Sequence, residues 1–381
     1  AASDVYKRQV CGGCNTARSQ GCLVNLCVSK AVRVRGLTMN CETCAYDHYC
    51  VKSDSYSLPS MQMMRELDRV LDAWDRTPAA SKLPKFIPEV QLEEPVRCEW
   101  RRLDVETLLA AFSNPEGECM SQIKEEGVHN YLRFDGTILL STILPDEILT
   151  STETFGLTLD LLRKGGFDGV VGWDMPVCSD APKARSLANL VIAAMCTVRL
   201  VNEGVPTIPL FKGSDEKEME LDLQWLRRLG FGQVALHATE YVLSRDDELS
   251  TKLMGVALTK MKELSAQPLI IGIASPRSLS YEFYKAIPEA SYAGMSWLLD
   301  AKRYSAYHGT YLLDLRRGVM ECDCAACLDK PISQISGRID DIAEHNLFQF
   351  NSLLNLREVE AVKFFDAIIE RGLTAAVSCL H

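Results

Sequence analysis

The sequence contains no run of 18 or more uninterrupted apolar residues, which argues against a membrane-spanning helix. Its N-terminal segment has no apolar core of the kind a secretory signal carries. No G-x-G-x-x-G run follows a strand-like segment, which weakens a dinucleotide-binding open sheet. Positive charge is in deficit, with 41 Lys and Arg against 51 Asp and Glu and a net charge of −10. The chain as a whole is therefore not a polycation built for nucleic acid. The segment Ala1–Gln9 (AASDVYKRQ) shows neither a helical nor a strand period and resembles a translated cloning adaptor, so it is set aside and the native start is expected to differ.

Cysteine, by contrast, is abundant: 15 residues, of which seven lie between Cys11 and Cys50 and three between Cys322 and Cys327. Tight clusters without a secretion signal predict metal binding in a reducing, cytoplasmic compartment rather than a disulfide framework. Cys11-Gly-Gly-Cys14 and Cys41-Glu-Thr-Cys44 are two C-x₂-C knuckles of zinc-ribbon type, with Cys22, Cys27, His48 and Cys50 available to complete a second site. An iron–sulfur cluster takes the same thiolates, so a second Zn²⁺ and an Fe–S cluster both remain open there. Residues 11–52 carry five Lys or Arg against two Asp or Glu, a local +3. A small basic metal module can grip the phosphates of tRNA or another nucleic acid, or serve only as a structural knob.

Four zones follow: the cysteine-rich module to residue 52, a helical and linker region over 53–135, an alternating region over 136–315, and a cysteine-bearing end over 316–381. In the second zone, Met61, Met64, Leu67, Leu71 and Trp74 recur at helical spacing, and the prolines of Pro78–Pro95 read as a linker. From Gly136 onward, short apolar runs alternate with amphipathic stretches: GTILLS, DGVVGWD, VPTIPLF, QVALH, PLIIGIA and ASYAGMSW. Strands that are apolar nearly throughout, each followed by a helix, predict a parallel sheet covered by helices. The fold class is α/β, read as a (β/α)₈ barrel, with a doubly wound open sheet as the alternative.

Cys322-Asp-Cys324-Ala-Ala-Cys327, with His345 in a later helix-like segment, offers four Zn²⁺ ligands. Three cysteines within six residues are poorly spaced to bridge one another. With every position filled by protein, such a metal is structural. A C-x-C-x-x-C run followed by His-Asn-Leu resembles the zinc signature of the tRNA-guanine transglycosylases. The segments GWDMP (Gly172–Pro176), PLFKG (Pro209–Gly213), GIASP (Gly272–Pro276) and a Tyr-His-Gly before the cysteines add weaker likenesses. That resemblance implies a (β/α)₈ barrel with a zinc subdomain near its end. It further implies exchange of guanine for a 7-deazaguanine base in tRNA, or in DNA for some relatives, and a homodimer or heterodimer.

By the same resemblance Asp174 corresponds to the aspartate that hydrogen-bonds the incoming base, and Lys212 and His237 line the base pocket. A helix N-cap is the plainer reading of Asp174, and a solvated rim that of the other two. The sequence departs from the family at the reacting centre. The family's first catalytic aspartate sits in D-S-G-G-F-Q, where this chain has Leu139–Glu147 (LLSTILPDE), and its nucleophile aligns with Ala293 or Gly294. Base exchange needs a carboxylate nucleophile and a second carboxyl for proton transfer, so Asp300, Asp146 and Glu147 are the catalytic candidates. A barrel paralogue without turnover, serving as a nucleic-acid-binding or partner subunit, and a barrel enzyme of other chemistry are the alternatives.

Overall fold

A computed structural model describes residues 58–76, 82–96, 98–151, 153–177, 183–239, 247–265, 267–275, 287–308, 311–316, 322, 324, 326–327 and 339–354. The knuckle cysteines Cys11, Cys14, Cys41 and Cys44 lie outside the described residues. The chain divides into two compact units. One comprises residues 1–75, 175–195 and 212–225; the other comprises 76–174, 196–211 and 226–381.

The second unit is built on eight parallel strands: β1 (Phe86–Gln91), β2 (Thr107–Ala111), β3 (Thr137–Ser141), β4 (Gly169–Val171), β5 (Thr207–Ile208), β6 (Ala235–His237), β7 (Leu269–Ile271) and β8 (Ser291–Gly294). Their order in the sheet is β5-β4-β3-β2-β1-β8-β7-β6. The two edges meet through one bridge, Leu210 with Ala235, where Phe211 N donates to Ala235 O at 2.8 Å and Ala235 N donates to Pro209 O at 2.8 Å. The sheet is thus nearly closed into a barrel. Closure is what satisfies backbone groups that an open edge would leave unpaired.

Between strands the chain forms α1 (Leu58–Asp72) before β1; α2 (Glu118–Glu126) and α3 (Val128–Leu132) after β2; α4 (Asp146–Leu149) and α5 (Thr154–Gly165) after β3; α6 (Lys183–Asn202) after β4; α7 (Glu216–Arg228) after β5; α8 (Asp247–Leu264) after β6; and α9 (Ser296–Lys302) after β8. Among the described residues, the β1–β2 connection carries a 3₁₀ turn, Trp100–Leu103. A hairpin of β9 (Ser305–His308) and β10 (Tyr311–Asp314) follows, and α10 (Ile339–Leu354) packs on α9, β9 and β1. Helix α6 is apolar and long enough to cross a membrane by composition, but 56% of its most apolar window is buried, as in a core helix.

The barrel begins at Phe86, not at Gly136. The segment read as a linker contains β1, and the region read as helical contains β2. Pro84, Pro88 and Pro95 hid the first strand. Pro88 is accommodated because β1 pairs with β8 over Phe86–Pro88 and with β2 only from Glu89 onward, so the missing N–H falls before that ladder starts. In α1 the expected apolar stripe is confirmed at Leu67 and Leu71, both buried.

The lumen is filled by Ile87, Leu109, Leu139, Val171, Ile208, Leu210, Ala235, Leu269, Ile271 and Ala293, all buried. Side chains alternate faces along a strand. The residues two positions beyond Ile87 and Ala235 therefore also point inward, and these are Glu89 and His237. At the same end, glycines allow close approach of neighbouring loops. A Cβ at Gly172 (φ +150°) would lie 1.6 Å from Thr142 Oγ1, and one at Gly272 (φ +94°) would lie 1.7 Å from Thr239 Oγ1. Gly172→Ala is expected to lower unfolding stability by about 1–3 kcal/mol in urea denaturation, the range for overpacking in a fitted interior. A variant as stable as the parent would show that the Thr142 contact is loose.

Candidate metal centre and barrel mouth

Three thiols and one imidazole converge after β10. Cys327 Sγ, Cys324 Sγ and Cys322 Sγ lie 3.3, 3.5 and 3.7 Å from His345 Nδ1, and all four donor atoms fall within 4.8 Å of one another. A tetrahedral zinc with bonds of ~2.3 Å to sulfur and ~2.0 Å to nitrogen separates those ligands by about 3.5 Å. The donor set and spacing therefore fit such an ion.

The orientation of the histidine is fixed from behind. His345 Nε2 lies 2.6 Å from Tyr307 O. A carbonyl only accepts, so Nε2 carries the hydrogen and Nδ1 presents its lone pair to the sulfurs. The next residue, Asn346, is fully buried and stitches α10 down: Tyr307 N donates to its Oδ1 at 2.7 Å, and its Nδ2 donates to Trp297 O at 3.1 Å and Ser305 O at 3.0 Å. The cysteine turn is held by Cys327 N donating to Cys324 O at 2.8 Å and Cys324 N to Cys322 Sγ at 3.4 Å. Hydrogen bonding from Cys327 holds the Cys324 thiol well below its ordinary value. Burial raises Cys322, and the adjacent Cys324 sulfur raises Cys327.

The second constellation lies at the C-terminal mouth of the barrel, where parallel barrels carry their chemistry. Asp174 is three residues past the end of β4 and 5% exposed. His237 is the last residue of β6, and its Nδ1 is 3.3 Å from Asp174 Oδ2. Glu89 points into the same lumen from β1, within electrostatic range of His237. Burial pushes its carboxyl up to about 7, and attraction to His237 offsets part of that shift. Its side chain is half-buried, so the wall strips it of much of its water while the mouth leaves it reachable.

No family model matches the chain, and no curated protein matches it.

The structure thus brings Asp174 and His237 together and adds Glu89, which the sequence reading missed. Glu89 lay in the proline-rich stretch taken for a linker. The signal that could have found it is an acidic residue two positions after Ile87 in an otherwise apolar run, FIPEVQ. Lys212 belongs to the other unit and is buried rather than on a solvated rim; its Nζ donates to Met175 O at 2.7 Å and its backbone N to Asp222 Oδ2 at 2.9 Å. Burial pushes Asp222 up to about 7.

Asp300 sits in α9, 4% exposed, with its Oδ2 accepting the Tyr307 hydroxyl at 3.0 Å. Its carboxylate ties α9 to β9. Asp146 and Glu147 open the short α4 after β3, half-buried and exposed respectively, and the Asp146 carbonyl accepts the Thr150 hydroxyl at 2.8 Å.

Two outcomes are expected. Metal analysis of the Cys324→Ser variant should show one equivalent fewer per chain than the parent, with a lower Tm; equal metal content would exclude this cluster as a site. For Glu89, the folded carboxyl titrates near 7 and the unfolded one near 4.5. A raised carboxylate pKa means native stability falls as pH rises from about 4.5 to 7. Glu89→Gln should therefore raise Tm relative to the parent at pH 8 by more than at pH 4.5, and equal offsets would contradict the shift.

Proposed function

We propose that this protein handles a guanine-like base at the barrel mouth, as a transglycosylase that exchanges guanine for a 7-deazaguanine base in tRNA or DNA. The single observation that carries this reading is the Asp174–His237 pair, held at 3.3 Å at the mouth of a parallel barrel whose chain also bears the Cys322, Cys324, Cys327 and His345 cluster. A buried carboxylate is an acceptor-only group, and the N–H edge of a guanine-like ring offers paired donors to it. The resemblance in the cysteine signature and in GWDMP supports the same substrate class. Zn²⁺ is the proposed occupant of the Cys₃His cluster, where its role is to fold the end of the chain. The basic N-terminal segment is the proposed grip on phosphates, and a dimer is the proposed assembly.

A second reading is favoured by a specific observation. The end of β8 is Ala293-Gly294, neither of which can attack C1′, and the Asp300 carboxylate accepts the Tyr307 hydroxyl. A partner subunit that binds nucleic acid without turnover fits those two facts. Labelled guanine offered with bulk tRNA, and with DNA alongside, separates the readings. Incorporation by the parent, reduced at least ~100-fold in Asp174→Asn, is the expected result for the enzyme, the scale of one lost polar contact to the reacting group. Tight tRNA binding with no incorporation into either polymer would leave the partner subunit.

A further inference from the structure

Outside the barrel mouth, the buried carboxylates among the described residues are Glu218 and Asp222 of α7, Asp300 of α9 and Glu344 of α10. Three of them secure backbone: Glu218 accepts Ser214 N, Asp222 accepts Lys212 N and Glu344 accepts Glu99 N, each at 2.9 Å. Asp300 takes a side chain. The Tyr307 hydroxyl donates to its Oδ2 at 3.0 Å, and the exposed Arg303 stands 3.9 Å from its Oδ1. Burying a carboxylate is costly where an apolar residue would pack in its place. What the bond to Tyr307 secures has to offset that cost.

Tyr307 is fully buried and lies in register with Leu312 of β10. Its backbone polar groups turn to α10. The N–H donates to Asn346 Oδ1 at 2.7 Å, and the carbonyl accepts His345 Nε2 at 2.6 Å. The ring packs edge-on against Phe350, one turn further along α10, with centroids 6.5 Å apart. Tyr307 is thus held at its hydroxyl, its N–H and its ring face, and the group these hold in place is its carbonyl. A ring fixed at both its face and its hydroxyl keeps one χ1 setting, and the peptide behind it keeps one orientation. That carbonyl leaves His345 Nδ1 facing the sulfurs of Cys322, Cys324 and Cys327. Groups that bond the far nitrogen of a ligand histidine set the aim of its ring and contribute to metal affinity.

We propose that Asp300 is a positioning residue for the metal centre. It supplies no ligand atom. Acting through the Tyr307 hydroxyl, it holds the carbonyl that aims His345, so zinc affinity depends on a carboxylate in α9 that never touches the ion. The inference rests on the reading of the Cys₃His cluster as a zinc site, and it is independent of the chemistry at the mouth. It also gives the buried Asp300 a role that does not require attack on a substrate.

The test measures zinc affinity of the full chain by competition with a chromogenic chelator, and the spectrum of the same site loaded with Co²⁺. The signal missing from Cys324→Ser identifies this cluster, because the N-terminal cysteines are candidate ligands too. Tyr307→Phe keeps the ring and the carbonyl and should bind zinc about tenfold more weakly, the smaller of the losses usual for an outer partner. Asp300→Ala should lose as much. The double variant should also stand about tenfold down, because two residues acting through one bond do not lose it twice. Asp300→Asn, which still accepts the hydroxyl, should bind zinc as the parent does. The Co²⁺ bands of Tyr307→Phe should shift. Leu354→Ala, which removes buried volume at the C-terminal end of α10, should lower Tm with zinc affinity and Co²⁺ bands unchanged. Undiminished affinity in Tyr307→Phe, losses that multiply in the double variant, an Asp300→Asn as weak as Asp300→Ala, or an equal loss in Leu354→Ala overturns the positioning role and leaves the metal site standing. A parent that holds no more zinc than Cys324→Ser overturns both.

Discussion

Closure of the sheet between Leu210 and Ala235 is the constraint on which the mouth depends. In sheet order β4 and β6 lie near opposite edges, and only the meeting of β5 with β6 brings His237 beside Asp174. Closure also sets Glu89 in the same lumen as His237, within electrostatic range of it. An open sheet of the same strands would have spread these three groups over its full width. Their electrostatic coupling belongs to the barrel, not to any one strand.

The cysteine cluster and the barrel mouth are held by different residues in this chain. Tyr307 bonds Asn346 through its N–H, His345 through its carbonyl and Asp300 through its hydroxyl, so one residue of β9 holds α9, α10 and the cysteine cluster. That web consumes Asp300 and fixes the imidazole so that Nδ1 faces the sulfurs. A metal held by four protein ligands has no open position for substrate, and its contribution is to folding. The barrel mouth, with Asp174, His237 and Glu89, is built on separate elements.

The mouth mixes two demands on a carboxyl. Asp174 is buried beside an imidazole, which suits a fixed acceptor. Glu89 is poorly solvated yet reachable, which suits a group that changes its protonation state. Two carboxyls in one lumen with different surroundings can take different roles, because each environment sets how costly the charge is.

Much of the fold was legible from local pattern. Six apolar runs from Gly136 onward were readable as strands because a buried parallel strand is apolar on both faces, and the C-x-C-x-x-C turn announced a metal site because three thiols that close serve little else. The first strand was not legible, since Pro84, Pro88 and Pro95 are turn residues by every local rule. Only the pairing of β1 with β8 before Pro88 and with β2 after it makes that proline harmless. The site divides the same way. Asp174 and His237 could be named from their places at strand ends, Glu89 was hidden among prolines, and the bond from Tyr307 to Asp300 is a tertiary contact that no local pattern shows. The sequence by itself determined the parallel strands from Gly136 onward, most of their helices and the Cys₃His cluster, since these follow from periodicity and spacing along the chain. Tertiary structure alone decided which carboxyls meet His237 and which is tied to Tyr307, because that depends on closing a barrel through residues far apart in the chain.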